Sequence, residues 1–161
     1  MKEKMTADKP LSINEIFEDR KKFIPEIGEQ LKKERKETVE VNGESLDIDY
    51  RVISVKEVSK EEYDPVVLLP GFGSGWEGIS ELGFSLSCEG RKVMMPSLPG
   101  YGNSDNPSEA YYKTDNYDNE VEALNQLIDK VNQSGRKVHL IGHSMGSEIM
   151  AAFARKYPER Q

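Results

Sequence analysis

Residues 137–146 decide the fold, and they read Lys137-Val138-His139-Leu140-Ile141-Gly142-His143-Ser144-Met145-Gly146. The first half is a short apolar run typical of a strand, and apolar residues recur at helical spacing after Gly146. The Gly-His-Ser-Met-Gly segment between them fits the G-x-S-x-G pattern, in which a serine occupies a sharp strand-to-helix turn. The sequence therefore predicts a turn that projects the Ser144 hydroxyl above the edge of a sheet.

The two glycines of this turn are predicted to be required for steric reasons. A side chain at Gly142 or Gly146 would hold the strand and the helix apart. The helix that follows presents unpaired backbone N–H groups and the positive end of its dipole toward Ser144. This environment favours chemistry in which negative charge develops beside the serine.

Composition limits the class of protein. A chain of 161 residues predicts one domain with a real core, and its net charge of -7 argues against a nucleic acid or an anionic membrane as the partner. The single cysteine, Cys88, excludes an internal disulfide, fits a reducing compartment and is expected to be structural. The N-terminus has no apolar segment of the signal-peptide kind and no run approaches the length of a membrane span, so we expect a cytoplasmic protein.

Residues 1–37 are predicted to form an N-terminal helical extension that is peripheral to the sheet. Ser12 and Glu15 fit a capping box that opens a helix, and Pro25 is expected to interrupt it. The apolar residues fall in two pieces: Ile13, Ile16 and Phe17, then Ile27 and Leu31. An arm that binds a membrane surface or a partner protein is the alternative for this segment.

Residues 38–161 show two strand patterns. The first is a hairpin with its turn at Asn42-Gly43, in which apolar and polar residues alternate. The second is a set of unbroken apolar runs, which indicates strands buried on both faces by helices: Val66–Leu69, Lys92–Met95 and Val138–Ile141. Helical periodicity separates these runs. We therefore predict an α/β fold, with a mostly parallel sheet, helices on both faces and an antiparallel hairpin before it.

Ligands of such a sheet bind beyond the carboxyl ends of its strands, where three loops are expected. The glycine-rich loop 70–76 has three open interpretations: a phosphate cradle, a donor of a backbone N–H toward Ser144, or a tight turn. It lacks the GK[ST] ending of a phosphate-binding loop. The loop 96–105 is rich in proline and glycine and is expected to wall the site. The third loop carries Ser144.

Three segments together resemble the landmarks of the α/β-hydrolase fold superfamily: Leu68–Gly73, Ser97–Asp105 and Gly142–Gly146. The resemblance covers about residues 38–160. It implies that Ser144 is the nucleophile and that the backbone N–H groups of Phe72 and Met145 form the oxyanion hole. It implies a small-molecule acyl substrate and neither a cofactor nor a metal. Two positions depart from the pattern, because Pro70 stands where the superfamily usually has His and Ser97 where it often has Asp.

The superfamily places its catalytic acid and histidine after the serine, and no histidine follows Ser144 in this sequence. His143 is expected to diverge from Ser144 on the tight turn, and His139 is expected to be a hydrogen-bonded core residue. We therefore predict that the chain is the N-terminal part of a hydrolase that ends after the elbow helix. The Val138–Ile141 strand would then form an exposed sheet edge.

Two hypotheses about function follow. The first is a serine hydrolase that acts on an ester, thioester or lactone through an acyl-enzyme, with the 161-residue chain alone inactive. The alternative is a non-catalytic module that keeps the hydrolase scaffold and binds a ligand or a partner.

Overall fold

The computed structural model describes residues 18–161, so the predicted capping box at Ser12 and Glu15, with its apolar residues, lies outside the described residues. The strands are β1 (Lys36–Val41), β2 (Glu44–Ile53), β3 (Val66–Leu69), β4 (Val93–Pro96) and β5 (His139–Gly142). The helices are α1 (Ile24–Lys32), α2 (Ser80–Cys88), α3 (Asp118–Val131) and α4 (Met145–Lys156). Every strand and helix predicted within residues 38–161 is therefore present, with bounds that differ by a few residues.

The five strands form one sheet in the order β1-β2-β4-β3-β5. The hairpin strands pair antiparallel, and β2 continues antiparallel onto β4. The remaining pairs, β3 with β4 and β3 with β5, are parallel. The hairpin turn has positive φ angles at both of its central residues, 53° at Asn42 and 78° at Gly43. An Asn-Gly pair favours such a turn, because both residues tolerate the left-handed region.

Apolar side chains cover both faces of the sheet. Helices α3 and α4 pack on one face around residues that include Val67, Leu124 and Phe153. On the other face, α1 and α2 pack around a second cluster that includes Ile53 and Met95. This arrangement confirms the predicted fold class. Within residues 18–161, no helix combines the length and the apolar character needed to cross a membrane.

The N-terminal helix corrects the expectation that its segment is peripheral. Phe23 and Ile27 are 5% and 2% exposed and belong to the second apolar cluster. Gln30 fixes the helix to the end of β2, because its side-chain amide exchanges two hydrogen bonds of 2.8 Å with the backbone of Ser54. The predicted break near Pro25 is present, because helical residues 18–20 give way to a 3-10 turn (Lys21–Phe23) before α1 begins. Pro25 lies in the first turn of α1, where the missing N–H has no partner to lose. The boundary placed after residue 37 stays a prediction.

One edge of the sheet is occupied by a side chain. Glu40 of β1 donates its backbone N–H to the Gln126 side chain at 2.9 Å, and its carbonyl accepts from the same amide group at 2.8 Å. Gln126 belongs to α3 and so takes the place of a neighbouring strand at this position. Both outward-facing backbone groups of Glu40 are therefore satisfied.

The other edge of the described sheet is β5, as predicted. His139 is exposed there, so the expectation of a hydrogen-bonded core histidine was wrong. The neighbouring residues Val138 and Leu140 face α3 and α4 and pack in the first cluster. His139 points to the opposite face, at a strand that lies at the end of the sheet, where α1 and α2 leave it uncovered.

The burial of α1 predicts unequal effects of one substitution at two positions of the same helix. Ile27→Ala should lower the free energy of unfolding by about 2–5 kcal/mol, because it removes buried methyl groups and leaves a cavity. Ile24→Ala is the matched control, since Ile24 is 54% exposed. Urea unfolding measures both. Equal small losses would mean that α1 does not pack on the sheet.

Candidate active site

Ser144 lies between β5 and α4 in a backbone conformation that a residue with a side chain seldom adopts, with φ 52° and ψ -125°. A conformation of this kind costs about 1–3 kcal/mol and persists only where the surroundings hold it. The turn is held by hydrogen bonds from the Gly146 N–H to the His143 carbonyl at 2.9 Å and from the Ser147 N–H to the Ser144 carbonyl at 2.8 Å. The Ser144 side chain is exposed at the turn.

Close backbone contacts explain both glycines of the turn. A Cβ at Gly142 would lie 2.4 Å from the carbonyl carbon and oxygen of Gly146. A Cβ at Gly146 would lie 2.5 Å from the carbonyl oxygens of Leu69 and Pro70. Neither neighbour can move aside, because each is backbone. The sequence prediction that side chains here would separate strand and helix therefore has a structural basis at both positions.

The glycine-rich loop after β3 lies against the serine. A Cβ on Gly71 would lie 3.2 Å from the Cβ of Ser144 and 3.0 Å from Nδ1 of His143. Phe72 follows directly, and its side chain is 79% exposed beside the turn. Among the backbone hydrogen bonds of residues 18–161 outside helices and strands, none is donated by the N–H of Phe72 or Met145. Both predicted oxyanion donors therefore have free N–H groups next to the serine.

Ionisable groups near the serine are few. His143 is exposed, and its Nδ1 faces Gly71. Glu148, which the sequence suggested for the rim of the site, accepts a 2.7 Å hydrogen bond from the Tyr117 hydroxyl. This bond raises the pKa of the Tyr117 hydroxyl, because it stabilises the protonated phenol beside a carboxylate. The Tyr117–Glu148 pair thus borders the site as a fixed polar contact.

A cleft of about 680 Å³ opens beside the turn. Phe72 and Met145 line it, so it adjoins both candidate oxyanion donors. Its other walls come from the connection between β4 and α3 and from the first turn of α3: Gly100, Tyr101, Tyr112, Thr114, Asn116, Tyr117 and Glu120. The loop after β4 therefore walls the site as expected. No sequence pattern predicted that the three tyrosines and Glu120 meet, because the path of the long connection between β4 and α3 depends on tertiary packing.

A buried ion pair between Arg51 and Asp49 contacts the last residue of the glycine-rich loop, Trp76. The guanidinium of Arg51 donates to Asp49 at 2.5 Å, and the two residues are 4% and 1% exposed. The same guanidinium stacks over the Trp76 ring at 4.6 Å and donates through Nε to the Leu31 carbonyl at 2.7 Å. Arg51 therefore joins β2, the end of α1 and the residue that closes loop 70–76. The charges at alternate positions of β2 were a sequence signal that could have revealed this pair.

Ser97 makes a second connection to the same loop. Its hydroxyl accepts a 3.1 Å hydrogen bond from the Trp76 N–H, and its carbonyl accepts one of 2.8 Å from the Ser104 hydroxyl. A Cβ at Gly75 or Gly102 would lie within 2.9 Å of the Ser97 hydroxyl. This departure from the superfamily pattern thus places a small hydroxyl where two glycines approach closely.

Comparison with known proteins agrees with this geometry. The family model described as alpha/beta hydrolase fold matches residues 64–160. The match covers more than half of the chain, and it includes both the loop after β3 and the serine turn. The chain therefore belongs to the alpha/beta hydrolase fold family.

Relatives within the family carry several activities. The chain is 32% identical over 96 residues to Lipase 3 of Moraxella sp. (strain TA144), covering 60% of this chain and 29% of the lipase. It is 37% identical over 102 residues to 1-acylglycerol-3-phosphate O-acyltransferase ABHD5 of Sus scrofa, covering 60% and 27%. The crystal structure of an epoxide hydrolase from Vigna radiata matches with a TM-score of 0.60 at 26% identity, covering 79% and 37%. The chain thus spans less than a third of the length of these two curated relatives.

The close contacts of Gly146 predict that an added methyl group is not tolerated there, whereas one at Gly28 in helix α1 is tolerated. Gly146→Ala should abolish folding or lower the free energy of unfolding by more than about 3 kcal/mol, because its Cβ meets two backbone carbonyls. Gly28→Ala is the control, since a Cβ there meets nothing within 4 Å in helix α1. It should be neutral or stabilise the protein by up to about 1 kcal/mol. Thermal unfolding of both variants measures the difference.

The buried Asp49–Arg51 pair predicts that removing one charge lowers the free energy of unfolding more than removing both charges. Arg51→Leu should lower the free energy of unfolding by about 3–5 kcal/mol, because the Asp49 carboxylate stays buried without its cation. The double variant Asp49→Asn, Arg51→Leu should recover part of that loss, since it leaves no buried charge. Lys32→Ala removes an exposed ion pair with Glu29 and should leave unfolding unchanged. Chemical denaturation of the three variants is the measurement, and a double variant less stable than Arg51→Leu would contradict the pair's role.

Proposed function

We propose that the full-length protein is a serine hydrolase that cleaves an ester-like bond, an ester, thioester or lactone, with Ser144 as the nucleophile. The observation that carries the proposal is the strained Ser144 turn with two free backbone N–H groups beside it. Strain of this kind is found where it serves a site. Free donors next to a hydroxyl are the arrangement that acyl transfer requires.

In the proposed reaction, the Ser144 Oγ attacks the carbonyl carbon of the substrate and loses its proton to a base. The carbonyl oxygen becomes an oxyanion and accepts hydrogen bonds from the N–H groups of Phe72 and Met145. The C–O or C–S bond to the leaving group then breaks, and the leaving group takes a proton. Water hydrolyses the resulting acyl-enzyme and returns the serine. The dipole of α4 adds to the stabilisation of the oxyanion.

The similar proteins support acyl chemistry in particular. One is named a lipase and another an acyltransferase, and both names describe transfer of an acyl group, to water or to an alcohol. Since the chain spans less than a third of each, we propose that residues 38–161 form the N-terminal part of the hydrolase domain. The base would be a histidine with an acidic partner outside the described residues. We also infer a cytoplasmic location from the single Cys88, which is buried and unpaired.

The second candidate is ligand binding without turnover on the same scaffold. It is favoured by one observation within residues 18–161: both histidines are exposed and Nδ1 of His143 faces Gly71, so this part of the chain supplies no base for Ser144. A serine hydroxyl without a base is a poor nucleophile at neutral pH. Such a module would hold an acyl ligand in the cleft through the same two N–H groups.

A fluorophosphonate probe separates the two candidates, because covalent labelling requires an activated serine. The full-length protein should be labelled at Ser144 and should hydrolyse a simple aryl ester. Ser144→Ala should lose both signals by more than about 10³-fold while its unfolding midpoint is kept. Ser134→Ala is the control, since Ser134 is exposed in the turn after α3.

The outcome decides between the candidates. Labelling and turnover that survive in Ser144→Ala would show that another residue is the nucleophile. A folded full-length protein that is neither labelled nor active would leave the binding module as the function.

A further inference from the structure

The cleft beside Ser144 combines aromatic rings with one acidic group, and this combination indicates the chemistry of its ligand. We propose that the cleft binds a cationic group of the substrate, a quaternary or tertiary ammonium, and so makes the enzyme prefer esters that carry a positive charge. The inference rests on the proposed function for the position of the bond that is cleaved.

The aromatic rings come from two connections, the loop after β3 and the residues 97–117 between β4 and α3, and they meet at the cleft. Phe72 belongs to the loop after β3, Tyr101 to the loop after β4, and Tyr112 and Tyr117 to the segment before α3. Phe72 and Tyr101 meet edge to face, with ring centroids 5.9 Å apart. Phe72 and Tyr112 are 79% and 51% exposed, so their rings remain open to a ligand. Ring faces attract ammonium groups within about 6 Å, and cages of several rings bind quaternary ammonium ligands.

Glu120 supplies the negative charge. Among the cleft-lining residues in the described range 18–161, it is the only one with a carboxyl group. It is half-buried in the first turn of α3, and burial raises the pKa of its carboxyl. The nearby Asp118 carboxylate has the same sign of charge and raises the pKa of Glu120 further. A ligand cation would provide the missing opposite charge.

No lysine, arginine or histidine of the described residues lines the cleft. Within residues 18–161, an anionic ligand in the cleft would therefore meet the Glu120 carboxylate and no side-chain cation. Two consecutive residues of the cleft wall, Asn116 and Tyr117, also have positive φ angles of 55° and 60°, a strained backbone conformation for residues with a side chain. Tyr117 is fixed further by its hydrogen bond to Glu148. The wall is thus preorganised before a ligand arrives.

Two esters of one shape test the inference on the full-length protein. Butyrylcholine carries a trimethylammonium group, and 3,3-dimethylbutyl butyrate carries an uncharged tert-butyl group in its place. The value of kcat/KM should be at least about tenfold higher for the choline ester. Glu120→Gln should reduce that ratio to about one-third or less, because only the charged ester loses an opposite charge.

Glu122→Gln is the matched control. Glu122 lies on the same helix but accepts hydrogen bonds from Tyr157 and Gln126, away from the cleft. This variant should keep the native ratio. A ratio that falls equally in both variants would mean that net charge, and not the cleft, selects the substrate, and it would overturn the inference.

Calorimetry with choline and 3,3-dimethylbutan-1-ol gives a readout that does not depend on turnover. Choline should bind more tightly to the full-length protein, and Glu120→Gln should remove the difference. Equal turnover of the two esters together with equal binding of the two alcohols overturns the inference and leaves the proposed serine hydrolase intact. Failure of fluorophosphonate labelling, by contrast, contradicts the proposed function, and a choline preference in binding would still support the cleft.

Discussion

Contact of backbone with backbone at the start of α4 is the constraint on which the rest of the site depends. Gly146 lies so close to the carbonyls of Leu69 and Pro70 that no side chain fits between them. The helix is therefore seated on the end of β3, and the loop that leaves β3 has to pass beside the serine turn. This is why Gly71 and Ser144, which are 73 positions apart, are near neighbours. Local strain at the serine is held by contacts that the glycines alone allow.

The loop beside the serine is also held from the side away from the cleft. Arg51 contacts Asp49, the Trp76 ring and the last turn of α1, and it is almost completely buried. A buried charge is tolerated only when its partners are fixed, so these three elements have to keep one arrangement. The N-terminal helix is thereby connected to the loop that carries one of the two candidate oxyanion donors. A segment that the sequence assigned to the periphery contributes to the support of the site.

Much of this architecture could be predicted because its signals are local. Unbroken apolar runs indicated the strands, Asn42-Gly43 indicated the hairpin, and the spacing around Ser144 indicated the turn. What failed depended on strand order and packing: His139 has the same local sequence whether its strand lies inside the sheet or at its end. The walls of the cleft could not be predicted either, since they depend on how the loop after β3 packs against the connection between β4 and α3. Pro25 indicated correctly where one helical piece gives way to the next, because proline is favoured in the first turn of a helix.

The two edges of the sheet differ in what they offer to another strand. At β1, the amide of Gln126 already uses the outward N–H and carbonyl of Glu40. At β5, within the part of the chain that the structure describes, no strand pairs with the outer side. Pairing with a further strand, from this chain or another, is therefore directed to the β5 side. At Glu40, the Gln126 amide thus occupies the groups that a strand added to β1 would need.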